Sequence, residues 1–244
     1  MNRHYAGMLG ISILIATSAC SRVINFGQHE CISTAPVVTQ QRPASDITTI
    51  TAANGFNVSY VQASDPAITV SAPSDLMDKI HTDISDKTLL IYSSKSLGSC
   101  DINIVVAAPV VNTFNISSGT QFTIDGAYSS TSDVTVNISS GAMFIASSPF
   151  SAPDIFLNSS SGSQIKFDGI TFSDIYVSAS SGSSVHLAGT GKEASLSASS
   201  GAGISAGDMS AASGSASASS GGSISSNITN CSVSTSSGGS VSNP

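Results

Sequence analysis

From residue 46 onward the chain alternates apolar and polar positions in short runs. Asp46-Ile-Thr-Thr-Ile, Phe56-Asn-Val-Ser-Tyr-Val, Ala67-Ile-Thr-Val and Leu89-Leu-Ile-Tyr carry apolar residues near period two and are bounded by turn signals such as Asn-Gly and Asp-Pro. That is the pattern of half-buried β-strands. Asp101-Ile-Asn-Ile-Val-Val-Ala-Ala-Pro is a further run of the same kind. Only Leu76 to Ile84 accommodates a short helical turn. Residues 46–110 are therefore expected to form an N-terminal β segment that starts a larger β architecture.

From 111 to 244 the alternation becomes periodic. Ser-Ser-Gly, or a close variant, recurs with glycine at Gly119, Gly141, Gly162, Gly182, Gly201, Gly221 and Gly238. An alternating run precedes each motif, as in Asp133-Val-Thr-Val-Asn-Ile, Asp154-Ile-Phe-Leu-Asn and Asp174-Ile-Tyr-Val-Ser-Ala. A second run follows it, as in Gln121-Phe-Thr-Ile-Asp-Gly, Gln164-Ile-Lys-Phe-Asp-Gly and Ser184-Val-His-Leu-Ala-Gly. Two strands and two turns in about twenty residues describe one rung of a solenoid, which buries its apolar face only by stacking on the next. The expected fold is all-β: a right-handed parallel β-helix, or β-solenoid, of about seven Ser-Ser-Gly rungs spaced by ~4.8 Å. Glycine supplies positive φ at each corner, and serine hydroxyls bond neighbouring backbone. Phe156 and Tyr176, lying within strands, are expected in the core. Residues 197–244 hold 19 serines in 48 positions, so a low-complexity tail competes there with ordered rungs filled by Ile204, Met209, Ile224, Val233 and Val241.

Composition sharpens this picture. Only 9% of the 244 residues are charged and none is tryptophan, while the formal net charge is −7. Serine supplies the polar surface. With 8 basic against 15 acidic residues there is no basic patch to neutralise phosphates, which excludes nucleic acid as a partner.

The N-terminus reads as an address. Arg3 and His4 precede an apolar run from Met8 to Ala16, far shorter than the roughly twenty residues that span a bilayer, and Thr17, Ser18, Ala19 and Cys20 follow. Small residues directly before a cysteine resemble the lipobox of bacterial lipoproteins. The resemblance implies a signal peptide over 1–19, a lipidated Cys20, and a membrane partner reached through that lipid. Ser21 after the cysteine favours the outer membrane. An ordinary secretory signal ending in a cysteine is the alternative. Residues 20–45, with Pro36 and Pro43, read as anchor and tether. Export permits disulfides, and the remaining cysteines form an odd set: Cys31 with Cys100 is the preferred pair, leaving Cys231, against three separate thiols. No CxxC or zinc spacing occurs.

The succession Phe56-Asn-Val-Ser-Tyr, Leu89-Leu-Ile-Tyr, Ile102-Asn-Ile-Val-Val-Ala-Ala-Pro and then repeated Ser-Ser-Gly rungs is similar to the auto-transporter adhesin head GIN domain family of bacterial envelope proteins. The resemblance covers about residues 46–240. It implies a β-helix or related solenoid behind a signal or lipoprotein peptide, and the family's name records a role in adhesion. It brings no catalytic residues and no cofactor. The alanine- and serine-rich final rungs depart from its pattern.

Candidate chemistry is sparse. From residue 115 on, Lys166, Lys192 and His186 are the only basic or imidazole side chains. His186 alternates with inward neighbours and is expected in solvent, as are His29 in the tether and His81 in the helical turn. Asp133, Asp154 and Asp174, followed by Glu193, each precede a strand and would stack in a column, either relaxed by solvent or bridged by Ca²⁺. Asp125 and Asp168 mark a sparser set in turns, where aspartate bonds its own backbone. Phe150, Phe156, Phe172 and Tyr176 are the aromatic residues that could face a ligand.

The expected function is a lipid-anchored, non-catalytic, adhesin-like binding module of the cell envelope that contacts a glycan or envelope protein. The alternatives are a polysaccharide-degrading β-helix enzyme and a structural protein that self-associates through its open solenoid end.

Overall fold

The computed structural model describes residues 31–98 and 100–244. The signal segment 1–19, Cys20 and His29 lie outside the described residues. Strands make up 62% of the described residues, among which there is essentially no helix.

Seven strands build the N-terminal end: β1 (Val37–Arg42), β2 (Thr49–Ala52), β3 (Asn57–Gln62), β4 (Ala67–Pro73), β5 (Ile80–Ser85), β6 (Thr88–Ser93) and β7 (Asn103–Ala108). The segment read as a tether thus contains a strand. β1 pairs antiparallel with β4 from Val37↔Pro73 to Arg42↔Ile68, because β4 would otherwise present an open edge. The expected helical turn shrinks to a 3-10 turn at Met77–Lys79, and His81 lies on β5. The reason is a hairpin: β5 pairs with β6 along its whole length, around Asp86 and Lys87 at φ 48 and 60, the two-residue turn with positive φ at both central positions.

The stack continues through β8 (Thr113–Ile116), β9 (Gln121–Ile124), β10 (Tyr128–Ser129), β11 (Val134–Ile138), β12 (Met143–Ala146), β13 (Phe150–Ser151) and β14 (Asp154–Ser159). Long bent strands complete it: β15 (Gln164–Ala179), β16 (Ser184–Ala198), β17 (Gly203–Ala218), β18 (Ser223–Thr235) and the short β19 (Ser240–Ser242). Chain order is not spatial order at the start. β2 lies between β6 and β8, parallel to both, and β3 lies between β7 and β9. The chain lays down one rung, adds another beneath it, and returns above the first. From β8 onward rungs stack in sequence, all parallel, as a solenoid of about 6 turns between seven Ser-Ser-Gly corners. Strands extend through 197–244, so the serine-rich end is ordered β-structure.

Each corner has one geometry. Ser118 and Gly119 sit at φ 54 and 73, and Thr120 N–H donates to Ser117 O at 3.2 Å across the turn. Gly119 N–H donates to Ser140 O of the next corner at 3.0 Å, a contact repeated up to Gly221 and Ser237. The serine as well as the glycine is left-handed at all seven corners. The next position points inward: Ser163 and Ser183 are buried there, and their hydroxyls donate to Ser160 O at 2.7 Å and Ser159 O at 2.9 Å.

Inward positions stack in register. One column runs Phe114, Val136, Leu157, Val177, Leu196, Ala216 and Val233. The core tapers along the axis. Its N-terminal part holds aromatic rings, with Phe122 stacked on Phe144 at 5.5 Å and Tyr128 on Phe150 at 4.3 Å. The buried hydroxyls of Tyr60 and Tyr128 donate to Ala108 O at 3.0 Å and Val111 O at 2.8 Å, and burial pushes the Tyr60 phenol up to about 12. Toward the C-terminus alanine takes over. Ile204, Met209 and Ile224 are buried as expected of inward residues, whereas Val233 is 51% exposed and Val241 only partly buried. No described rung covers Val233.

Candidate functional site

Along one flank of the solenoid, β2, β8, β11 and β14 stack with residues 174–179, 193–198, 213–218 and 230–235. Because side chains alternate across a strand, the outward positions of this face form three parallel columns.

The first column is acidic. Asp154, Asp174 and Glu193 are direct register partners, and Asp133 precedes Val134 on the rung before. Desolvation, then the charges of Asp133 and Asp174, hold the Asp154 carboxyl above its ordinary range. The carboxylates stand in single file, one per rung. Among the described residues no group of three or more His, Cys, Asp or Glu side chains gathers to hold a metal ion.

The second column carries aromatic rings. Phe156 and Tyr176 are stacked at 5.0 Å and 7°, with Tyr176 42% exposed. They are not in the core, contrary to expectation. Ile155, Leu157, Ile175 and Val177 take the inward positions, so period two turns the two rings out. Conversely, Phe150 and Phe172, weighed as ligand-facing, are buried. Phe150 packs on Tyr128 and Phe167, and the Phe172 ring lies where a Cβ on Gly191 of the next rung would stand. Tyr176 feels its flank: desolvation, then Asp174, Asp154 and Glu193, raise its phenol.

The third column is an amide ladder that the sequence reading passed over. Asn158 Nδ2 donates to Asn137 Oδ1 at 2.8 Å, Asn137 Nδ2 to Asn115 Oδ1 at 2.9 Å, and Asn115 Nδ2 to Thr51 Oγ1 at 3.4 Å. The signal was present in the constant spacing of these asparagines, each four residues ahead of the glycine in the first three Ser-Ser-Gly motifs. Beside the ladder runs a shallow groove of about 320 Å³ floored by Asn115, Asn137 and Asn158 and edged by Ser139, Ser160 and Ser180. Carboxylate acceptors, a flat aromatic surface and a row of amides and hydroxyls thus lie side by side.

The remaining candidates lie elsewhere. His186 pairs in register with Lys166 on the adjacent face, where Lys166 Nζ contacts Asp168 at 2.6 Å and hydrogen bonding to Lys166 lowers the Asp168 carboxyl. His81 stacks on Tyr92 at 4.8 Å. Cys31 and Cys100 form a disulfide, and Cys231 is free. Asp125 lies just before Gly126, at φ 89.

A family model described as "Putative auto-transporter adhesin, head GIN domain" matches residues 46–243. A search of the curated proteins finds no match. Among solved structures, a protein named as a putative lipid binding protein from Parabacteroides distasonis ATCC 8503 superposes with a TM-score of 0.76 at 19% identity, covering 86% of this chain and 98% of its own. One named as a putative adhesin from Parabacteroides merdae ATCC 43184 superposes with a TM-score of 0.77 at 16% identity, covering 86% and 97%. Another so named, from Bacteroides fragilis NCTC 9343, gives a TM-score of 0.60 at 17% identity over 86% and 97%.

Proposed function

We propose, from the premise that this chain belongs to the auto-transporter adhesin head GIN domain family, that it is a non-catalytic binding module of the bacterial envelope whose three-column face holds an extended glycan. The observation that carries the reading is the outward-facing stack of half-buried Phe156 and exposed Tyr176 between the carboxylate column and the asparagine ladder. The apolar C–H face of a sugar ring packs on such rings, while its hydroxyls donate to carboxylates and exchange hydrogen bonds with amides. Rungs repeat these groups along the axis, which suits a polymer more than a small molecule. Lipidation at Cys20, with anchoring in the outer membrane, completes the proposal and rests on the sequence of residues 1–21.

Binding without turnover is favoured by the dispersal of ionisable groups: Lys166, Asp168 and His186 lie on a different face from the acidic column. The solved relative named for lipid binding suggests a hydrophobic ligand instead. The solenoid interior, however, is filled by stacked side chains, which favours the outer face.

The test is a glycan array probed with the full chain in detergent, alongside Phe156→Ala and Tyr176→Ala. Each variant should weaken binding to the preferred glycan roughly tenfold, aromatic contacts being worth about 0.5–1.5 kcal/mol beyond area burial. Undiminished binding by both variants would remove this face from the account, and release of shortened products would make the protein an enzyme.

A further inference from the structure

We propose that two copies of this chain associate tail to tail through the open edge of β18, about a twofold axis. This edge lies at the end of the solenoid, apart from the ligand face.

The last rung is only partly covered. β19 pairs with Ser223, Ile224 and Ser225. Beyond it the Asn243 side chain takes the place of a strand: Ile228 N–H donates to Asn243 Oδ1 at 2.8 Å, and Asn243 Nδ2 donates to Ile228 O at 2.9 Å. Ile228 is buried in consequence. From Asn230 to Thr235, β18 pairs with β17 on one edge and with no described strand on the other. Its inward positions, Cys231, Val233 and Thr235, continue core columns whose earlier members Gly214, Ala216 and Ala218 lie beneath them. Ala216 and Ala218 are buried, yet Val233 and Thr235 are exposed. Unpaired backbone groups and core side chains together form a template for another strand.

Charge, and the contrast between the two ends, point to a second copy as the occupant. The chain carries a net −7, but from Met209 to Pro244 there is no Asp, Glu, Lys or Arg, so two C-terminal ends approach without side-chain repulsion. Edge strands that must stay single are usually blunted by charge or proline, and the opposite end follows that rule. There β1 is antiparallel, ends on Gln40, Gln41 and the charged Arg42 after its two exposed valines, and is flanked by Pro36 and Pro43, while β5 carries His81 and Asp83. Head-to-tail stacking is thereby disfavoured. Two identical edges joined to each other form a closed pair whose strands run antiparallel. Such pairing joins the two cores and places both ligand faces on one continuous sheet. It also covers Cys231, left over once Cys31 and Cys100 are bonded, as an odd cysteine in an exported chain invites.

Sedimentation of the oxidised full chain and of its Cys231→Ser variant in detergent tests the proposal. A two-chain species that dissociates on dilution is expected, and Val233→Lys should abolish it. Hydrogen exchange provides the second reading: the amides of residues 230–235 that point away from β17 should be protected at concentrations where the wild type is paired and should exchange freely in the diluted chain. Maleimide labelling of Cys231 should follow the same dependence. A wild type that stays monomeric, a dimer that survives Val233→Lys, or fast exchange of those amides within the dimer would each overturn the proposal. A dimer that vanishes in Cys231→Ser would do so as well, since a disulfide through Cys231 alone would then hold the copies.

Discussion

Breaking the Cys31–Cys100 bond should lower the stability of the whole solenoid rather than loosen one end. The bond joins residues 69 apart. Its loss leaves the native contacts of the N-terminal segment in place: six β1–β4 residue pairs, Ser74 N–H donating to Pro36 O at 3.0 Å, and the Ser33 hydroxyl donating to Asp75. What changes is the unfolded chain, which regains the freedom of a loop of that length. The loop-entropy relation gives about 4 kcal/mol, between the ~3 for a 15-residue loop and the ~4.7 for a 100-residue one. For a chain of this size each kcal/mol moves Tm by about 2–4 °C, so the drop should be roughly 8–16 °C. The assay is thermal unfolding followed by far-ultraviolet circular dichroism, comparing the oxidised chain, the reduced chain and Cys31→Ser/Cys100→Ser. Reduced chain and double variant should agree. A fall under about 2 °C would refute the reasoning, because the segment up to β1 would then unfold separately from the rungs it caps.

Thr120 is fully buried and its hydroxyl has no partner, so Thr120→Val should stabilise the chain by about 1 kcal/mol, read as a higher denaturant midpoint with unchanged slope. A methyl group at Gly191 would occupy the space of the Phe172 ring. Gly191→Ala should therefore eject the ring and cost about 2–3 kcal/mol, against about 1–2 kcal/mol of left-handed strain alone for Gly141→Ala, where the space is open. The raised Asp154 carboxyl binds its proton more tightly when folded than unfolded. Stability is then lost as pH rises from the ordinary carboxylate value through the raised one. Asp154→Asn should accordingly raise Tm at neutral pH, with the gain shrinking toward about pH 3; a constant gain at all pH values would assign it to another cause.

The corners were legible because their chemistry is local. Two successive positive-φ residues need glycine or a small polar residue, and the motif repeats wherever the chain turns. The core columns followed from the phase of alternation, which a residue of known orientation fixes: Asp154, outward at its strand start, sets Ile155 and Leu157 inward and Phe156 outward. Ring size argued for burial and phase argued against it, and phase won, because turning Phe156 inward would have brought its neighbouring Asp154 column in by the same count. The placement of β6 and β7 beneath β2 and β3 was not legible. Parallel strands of similar composition accept several neighbours, and the choice is made by the length of the return path. Short segments such as β10 and β13 escaped for a related reason, being two residues each, too few to display a period.

The disulfide also sets the path that a mechanical load would take. In a chain held at Cys20 and pulled through a ligand on the rungs, tension arriving at Cys31 crosses the covalent bond to Cys100, just ahead of β7, instead of running through the hydrogen bonds between β1 and β4. β7 is gripped on both edges, by β3 and β4. The strand most exposed to peeling is thus taken off the line of force, and the pull is delivered to one that can only be sheared out between two neighbours.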